Sequence, residues 1–114
     1  MSEELIKKAI EDVVKSLPLD AEGFRMKVEE MLRYRNICSD AVFYFDEYPS
    51  TIKKKQIEYV DVKILDSIDE LVCDDKRYNI YAEIKTYEFH YQHTPEVLYI
   101  IDTYRIRKIE EQKE

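Results

Sequence analysis

The chain has 114 residues, of which 45% are hydrophobic and 38% are charged. This length fits one domain with a core of its own, and the supply of core-forming residues excludes a disordered chain. The net charge of −7, from 25 acidic and 18 basic residues, disfavours non-specific binding to nucleic acid and to anionic membranes.

Nothing in the sequence points to a membrane or to export. The chain has no run of eighteen apolar residues, and its first residues lack the basic start and apolar stretch of a signal peptide. A single Gly, no Trp and abundant Lys, Glu and Ile are typical of proteins from hyperthermophiles. We therefore expect a soluble cytoplasmic protein of a hyperthermophilic system.

The first predicted element is a helix over about residues 3–17. Its apolar residues recur at i, i+1, i+4 and i+5, which places them on one stripe: Leu5, Ile6, Ala9, Ile10, Val13, Val14 and Leu17. Ser2 is the expected N-cap, and Pro18 ends the helix.

A second helix is predicted over about residues 21–36, with Asp20 as its N-cap. Its inner face would carry Phe24, Val28, Met31, Leu32 and part of Arg35. A short aromatic run then predicts a strand over about residues 41–46.

The next strand is predicted over about residues 56–65. Val60, Val62 and Ile64 alternate with Tyr59, Asp61 and Lys63, which is typical of a half-buried strand. The segment 67–73 is too short to classify by periodicity, so a single helical turn and a short strand both remain open.

The chain ends in a predicted antiparallel hairpin with strands over about residues 77–91 and 96–109. Ile80, Ala82 and Ile84 share one face, whereas the aromatic residues that follow, Tyr87 and Phe89, have the opposite parity. Either this strand is covered on both faces, or a β-bulge near residues 85–86 re-aims its side chains. A second copy of the protein is a candidate for covering the other face.

These elements predict one α+β domain over residues 1–114. Its two N-terminal helices would pack on a sheet of four antiparallel strands, or five, that ends in a long bent hairpin.

Residues for catalysis or metal binding do not converge in the sequence. Cys38, Cys73, His90 and His93 are numerous enough for zinc, but the cysteines lack the close pairing that structural zinc sites usually show. We expect both cysteines to be free and buried, with a disulfide between them as the alternative because proteins of hyperthermophiles can form disulfides inside the cell. We expect neither an enzyme nor a cofactor.

The candidate surface is acidic and aromatic. Acidic residues are concentrated over 66–75, where they can face a basic protein surface, and the hairpin adds tyrosines, which suit interfaces. The predicted partner-binding residues are Asp66, Asp69, Glu70, Asp74, Asp75, Tyr87, Phe89 and Tyr91.

The hairpin is also similar to a known family. Tyr87-Glu88-Phe89, then Val97-Leu-Tyr-Ile100 and Arg105-Ile-Arg-Lys-Ile109, resemble the last two strands of small anti-CRISPR proteins of the type I-D inhibitor kind, from rod-shaped viruses of hyperthermophilic archaea. The resemblance implies a non-enzymatic, acidic α+β homodimer that binds the large subunit of a CRISPR effector complex in the host cytoplasm.

Two helices before a long bent hairpin also resemble the nuclear-transport-factor-like cone fold and the cystatin-like fold. These imply a protein-inhibitor role or a ligand pocket, which Tyr81, Tyr87, Tyr99 or Tyr104 would line. Our leading hypothesis remains a protein–protein interaction module.

Overall fold

A computed structural model describes residues 2–45, 59–90 and 97–113. This part of the chain forms two helices and one antiparallel sheet with the strand order β1-β5-β4-β3-β2. The elements are α1 (Ser2–Val14), β1 (Leu19–Asp20), α2 (Ala21–Tyr34), β2 (Val42–Tyr44), β3 (Tyr59–Cys73), β4 (Lys76–His90) and β5 (Val97–Glu111). The α+β prediction with two helices on an antiparallel sheet is confirmed.

The first helix is shorter at its C-terminus than predicted. It buries Ile6, Ala9, Ile10 and Val13, but it ends at Val14 rather than at residue 17. The chain leaves the helix through turns before Pro18, because a residue preceding proline avoids the helical conformation. Ser2 is the first helical residue, so the prediction that it lies outside the helix as the N-cap is wrong.

The second helix starts as predicted. Asp20 is in the extended conformation and accepts a hydrogen bond from the Gly23 amide at 3.0 Å, which satisfies one of the free N–H groups of the first turn. A Cβ atom at residue 23 would overlap the Asp20 carboxylate. Glycine at this position therefore permits the cap.

This geometry predicts an unusual response to Gly23→Ala. Alanine in a helix normally stabilises by roughly 1 kcal/mol relative to glycine, but here it displaces the capping carboxylate, whose loss costs about 1 kcal/mol. We expect no gain in the free energy of unfolding, measured by urea denaturation. In an Asp20→Ala background the same substitution should stabilise, and equal effects in both backgrounds would contradict the account.

The sheet has five described strands because the link between the helices contributes one. In β1, Leu19 lies opposite Ile101 of β5, and Asp20 lies opposite Ile100. At the other edge, β2 pairs with the last residues of β3 and is shorter than the predicted strand over 41–46.

The segment 67–73 is neither a separate helical turn nor a separate strand. It is the second half of β3, which runs without interruption to Cys73 and pairs with β4 along its full length. Strands β4 and β5 form the predicted terminal hairpin.

Both helices pack on one face of the sheet, which we call the inner face. Phe24 of α2, Phe43 of β2 and Tyr104 of β5 meet there, with the Phe24 and Tyr104 rings 5.0 Å apart between centroids. These large side chains are almost fully excluded from solvent. The hydrophobic free energy of this layer attaches the helices to the sheet.

The prediction of free cysteines is wrong. Cys38 and Cys73 form a disulfide with a Cα–Cα distance of 5.0 Å. The bridge ties the segment after α2 to the end of β3, and both residues are buried in the core. Since their sulfurs are bonded to each other, they are not thiolate ligands for a metal.

Within the described ranges, neither helix is long and apolar enough to cross a membrane. The same residues contain no group of three potential metal ligands among His, Cys, Asp and Glu.

Candidate interaction surface

The face of the sheet opposite the helices, the outer face, follows from strand alternation. In β3 the odd-numbered residues Ser67, Asp69 and Leu71 are buried on the inner face, so the even-numbered residues point outward. The β3–β4 ladder keeps one register throughout, so the partners of those even residues, the odd residues of β4, share the outer face.

Apolar side chains of β3, β4 and β5 cluster on the outer face, at the end of the sheet farthest from the β3–β4 turn. Val62 is 54% exposed and Ile64 is 69% exposed. Val62 lies opposite Tyr87, which in turn lies opposite Ile100. Together with the half-buried Phe89 these residues form what we call the distal patch: Val62, Ile64, Tyr87, Phe89 and Ile100.

The outer face also has apolar groups nearer the β3–β4 turn. Ile68 is 46% exposed and lies opposite Tyr81. A shallow groove beside Ile68 is lined by Tyr44 of β2 and Asn79 of β4. The apolar outer face thus extends beyond the distal patch.

The predicted bulge near residues 85–86 exists, but the extra residue is on the other strand. Thr103 lies opposite Lys85 and Ile101 lies opposite Thr86, so Asp102 of β5 has no direct counterpart on β4. A second irregularity, opposite residues 81 and 82 of β4, likewise leaves Arg107 of β5 without a direct counterpart on β4. Strand β4 keeps its alternation, and Tyr87 and Phe89 consequently remain on the outer face.

A band of ion pairs crosses the centre of the outer face. Arg107 contacts Glu83 at 2.9 Å and Asp66 at 3.5 Å, and Arg105 contacts Glu83 at 3.2 Å. Arg107 is one of the two extra residues of β5. Its side chain joins three strands, because it contacts Asp66 of β3 and Glu83 of β4. Exposed pairs of this kind contribute little stability individually.

Aromatic and charged groups also combine at Tyr81. The Lys108 ammonium lies 4.4 Å from the centroid of the Tyr81 ring, and the Tyr81 hydroxyl donates a hydrogen bond of 2.7 Å to Glu110. That bond to a carboxylate raises the pKa of the Tyr81 hydroxyl.

Charge on the outer face cancels. Its described strands carry as many acidic as basic side chains: Asp66, Glu70, Glu83, Asp102 and Glu110 against Arg77, Lys85, Arg105, Arg107 and Lys108. The chain as a whole has a net charge of −7. The excess negative charge therefore belongs to the rest of the molecule.

The structure separates the predicted acidic residues. Asp66 and Glu70 lie on the outer face, where Glu70 pairs with Arg77 at 2.8 Å. Asp74 and Asp75 are exposed in the turn between β3 and β4. The acidic run over 66–75 is thus not one continuous surface.

The prediction that Asp69 binds a partner is wrong, because its side chain is buried. It is fully buried on the inner face, where Ser67 donates a hydrogen bond of 2.5 Å to Oδ1 and Tyr104 donates one of 2.5 Å to Oδ2. Burial and the neighbouring carboxylate raise the pKa of Tyr104 well above its usual value, so its hydroxyl stays protonated and keeps donating. Asp69 stabilises the core and is not available to a partner.

Asp74 is exposed, but its side chain also holds the β3–β4 turn in place. It has a positive φ of 58°, a conformation that aspartate tolerates, and its carboxylate accepts bonds from the Ser39 amide and hydroxyl at 3.1 and 2.7 Å. The hydroxyl bond is the main cause of the lowered pKa of Asp74. These bonds lie beside the disulfide and fasten the turn to the segment after α2.

Among the predicted aromatic residues, Tyr87 and Phe89 belong to the distal patch, whereas Tyr91 lies outside the described residues. Val62, Ile64 and Ile68 were not predicted as surface residues. The alternation of β3 could have predicted their exposure. Once Ser67, Asp69 and Leu71 face inward, the even-numbered residues of the strand must face outward.

The four tyrosines proposed to line a ligand pocket do not share one face. Tyr99 and Tyr104 are buried on the inner face, and Tyr81 and Tyr87 are on the outer face.

Comparison with known protein families, curated proteins and solved structures found no match to this chain.

Proposed function

We propose that this protein is a non-enzymatic protein–protein interaction module that uses the outer face of its sheet. The observation that carries the proposal is the exposure of Val62 and Ile64 beside Tyr87 and Phe89. Large apolar patches with a charged rim mark contact sites, because leaving them in water is unfavourable. Tyrosine and phenylalanine add rigid contact area.

The hydrogen bonds of the buried polar residues support a non-catalytic role. Ser67, Asp69 and Tyr104 are residue types that catalysis uses, but here they bond to one another inside the core. Their hydrogen bonds stabilise the attachment of β3 to β5 across β4 rather than meeting a substrate.

The distribution of charge supports a second contact with a basic protein surface. Since charge cancels on the outer face, the negative excess lies elsewhere and includes the exposed Asp75 in the β3–β4 turn. The resemblance of the hairpin makes the proposal more specific: a viral inhibitor that binds the large subunit of a host CRISPR effector complex in the host cytoplasm.

The alternative, a nuclear-transport-factor-like or cystatin-like domain with a ligand pocket, has less support. The described side chains between the helices and the inner face, such as Ile10, Phe24 and Ile80, are packed together with no exposure to solvent. The tyrosines assigned to that pocket lie on two faces.

The module is tested by capture of partners from the lysate of a hyperthermophilic archaeon, with the wild-type chain and two variants as bait. Ile64→Lys introduces a charge into the distal patch, whereas Met26→Lys introduces the same charge at a helix position that is 47% exposed. A partner retained by the wild type and by Met26→Lys, but lost by Ile64→Lys, is expected. Recovery of no partner at any salt concentration, by a chain that is also monomeric in solution, would contradict the proposal.

The specific inhibitor role requires a direct measurement. The purified chain should bind the purified large subunit of a type I-D effector complex, and Asp75→Lys should weaken this binding. Asp75 is the appropriate site because Asp74 holds the turn together. Absence of binding at low salt would contradict the inhibitor role while leaving the module intact.

A further inference from the structure

We infer that the outer face is covered in solution by the outer face of a second copy of this chain, with the two distal patches in contact. The inference rests on the proposed function, because it names the partner of the same surface.

Charge favours the outer face as the contact between two copies. Two copies that each carry −7 repel one another unless they meet where charge cancels. The outer face is such a surface, and its charges, including Glu83, Arg105 and Arg107, are already paired within the chain. Another copy can approach this face without bringing unpaired like charges together.

The distribution of positive and negative side chains over the strands favours one relative orientation of the two copies. The described outer charges of β3 are both acidic, Asp66 and Glu70, whereas those of β5 sum to +1, from three basic and two acidic side chains: Arg105, Arg107 and Lys108 against Asp102 and Glu110. A twofold axis parallel to the strands and over β4 places β3 of one copy against β5 of the other. The same axis brings each distal patch onto its own counterpart, whereas an axis across the strands at the middle of the sheet would place each distal patch over the opposite end of the other sheet.

The area of the outer face is also suitable for a dimer. Strands β3, β4 and β5 each have 15 residues. At about 3.3 Å per residue and about 4.8 Å between strands, their outer face covers roughly 700 Å² in projection. Stable interfaces bury about 800 Å² per partner, so this face alone has nearly the area that a dimer needs. Two sheets packed face to face with nearly aligned strands are a common solution for apolar sheet faces.

The mass in solution tests whether the second copy is there. Multi-angle light scattering should give the wild-type chain and Met26→Lys twice the mass of one chain. Ile64→Lys should raise the dissociation constant of the dimer by roughly a hundredfold, because it buries an unpaired charge. Circular dichroism should show the wild-type fold for both variants, since both positions are exposed.

Cross-linking tests the direction of the axis. Lys85 is on the outer face of β4, so the axis brings it close to its counterpart in the other copy. A short bismaleimide should join Lys85→Cys chains into dimers but should not join Met26→Cys chains. The native cysteines do not react, because they are bonded to each other.

Three outcomes would overturn the inference: a wild-type monomer at high concentration, a dimer that Ile64→Lys leaves unchanged, or a dimer that Lys85→Cys does not cross-link. A monomer that still loses a captured protein on Ile64→Lys contradicts the second copy and leaves the interaction module standing. A monomer that captures no protein contradicts both.

Discussion

Replacement of Asp69 by alanine is expected to lower the free energy of unfolding by roughly 2–6 kcal/mol. The buried hydroxyls of Ser67 and Tyr104 both donate to this carboxylate at 2.5 Å, and each loses that acceptor in the variant. A buried donor without an acceptor costs about 1–3 kcal/mol. Chemical denaturation of the purified variant measures the loss.

The control removes the donors together with the acceptor. In Ser67→Ala/Asp69→Leu/Tyr104→Phe no hydroxyl is left buried without its partner, and most of the lost stability should return. A triple variant as unstable as Asp69→Ala alone would show that the loss is caused by packing rather than by the broken hydrogen bonds.

Loss of the disulfide is expected to cost about 4 kcal/mol. The bridge closes a loop with a sequence separation of 35 residues, so its removal enlarges the unfolded ensemble considerably. In the folded chain the same bridge anchors the segment after α2 to the end of β3, next to the bonds from Ser39 to Asp74. Denaturation of Cys38→Ala/Cys73→Ala against the oxidised wild type gives the difference.

Reduction of the wild type supplies the matched comparison. Under reducing conditions its free energy of unfolding should fall towards that of Cys38→Ala/Cys73→Ala. A wild type with the same stability in both redox states, equal to that of the double variant, would contradict the assigned role of the bridge.

The elements that the sequence predicted well are those with a local physical cause. Asp20 caps α2 because aspartate accepts a bond from the first turn, and Phe24, Val28 and Leu32 are buried because helical spacing places them together. The terminal hairpin was equally predictable from its β-branched and aromatic residues.

The parity conflict of β4 predicted an irregularity at the correct place but on the wrong strand. One strand's pattern cannot reveal which strand of a pair carries the extra residue. The pattern of β5 could have done so: its inward residues Tyr99, Ile101, Tyr104, Ile106 and Ile109 are spaced by two and three in turn, and each spacing of three marks an extra residue.

Non-local contacts account for the remaining differences. The pairing of Cys38 with Cys73 requires the fold to bring together residues that are far apart in sequence. Burial of Asp69 depended on β3 continuing through the segment 67–73, which was too short to classify. Once that strand is established, Asp69 shares the inner face with Leu71.

The central claim is that the outer face of the sheet is a contact surface, and side-chain oxidation by hydroxyl radicals tests it most directly. As the protein concentration rises, we predict that oxidation of Ile64, Tyr87 and Phe89 falls, whereas the exposed helix residues Met26 and Tyr34 react equally at every concentration. Unchanged oxidation of the outer-face residues at all concentrations, and in the presence of any captured protein, would contradict the account.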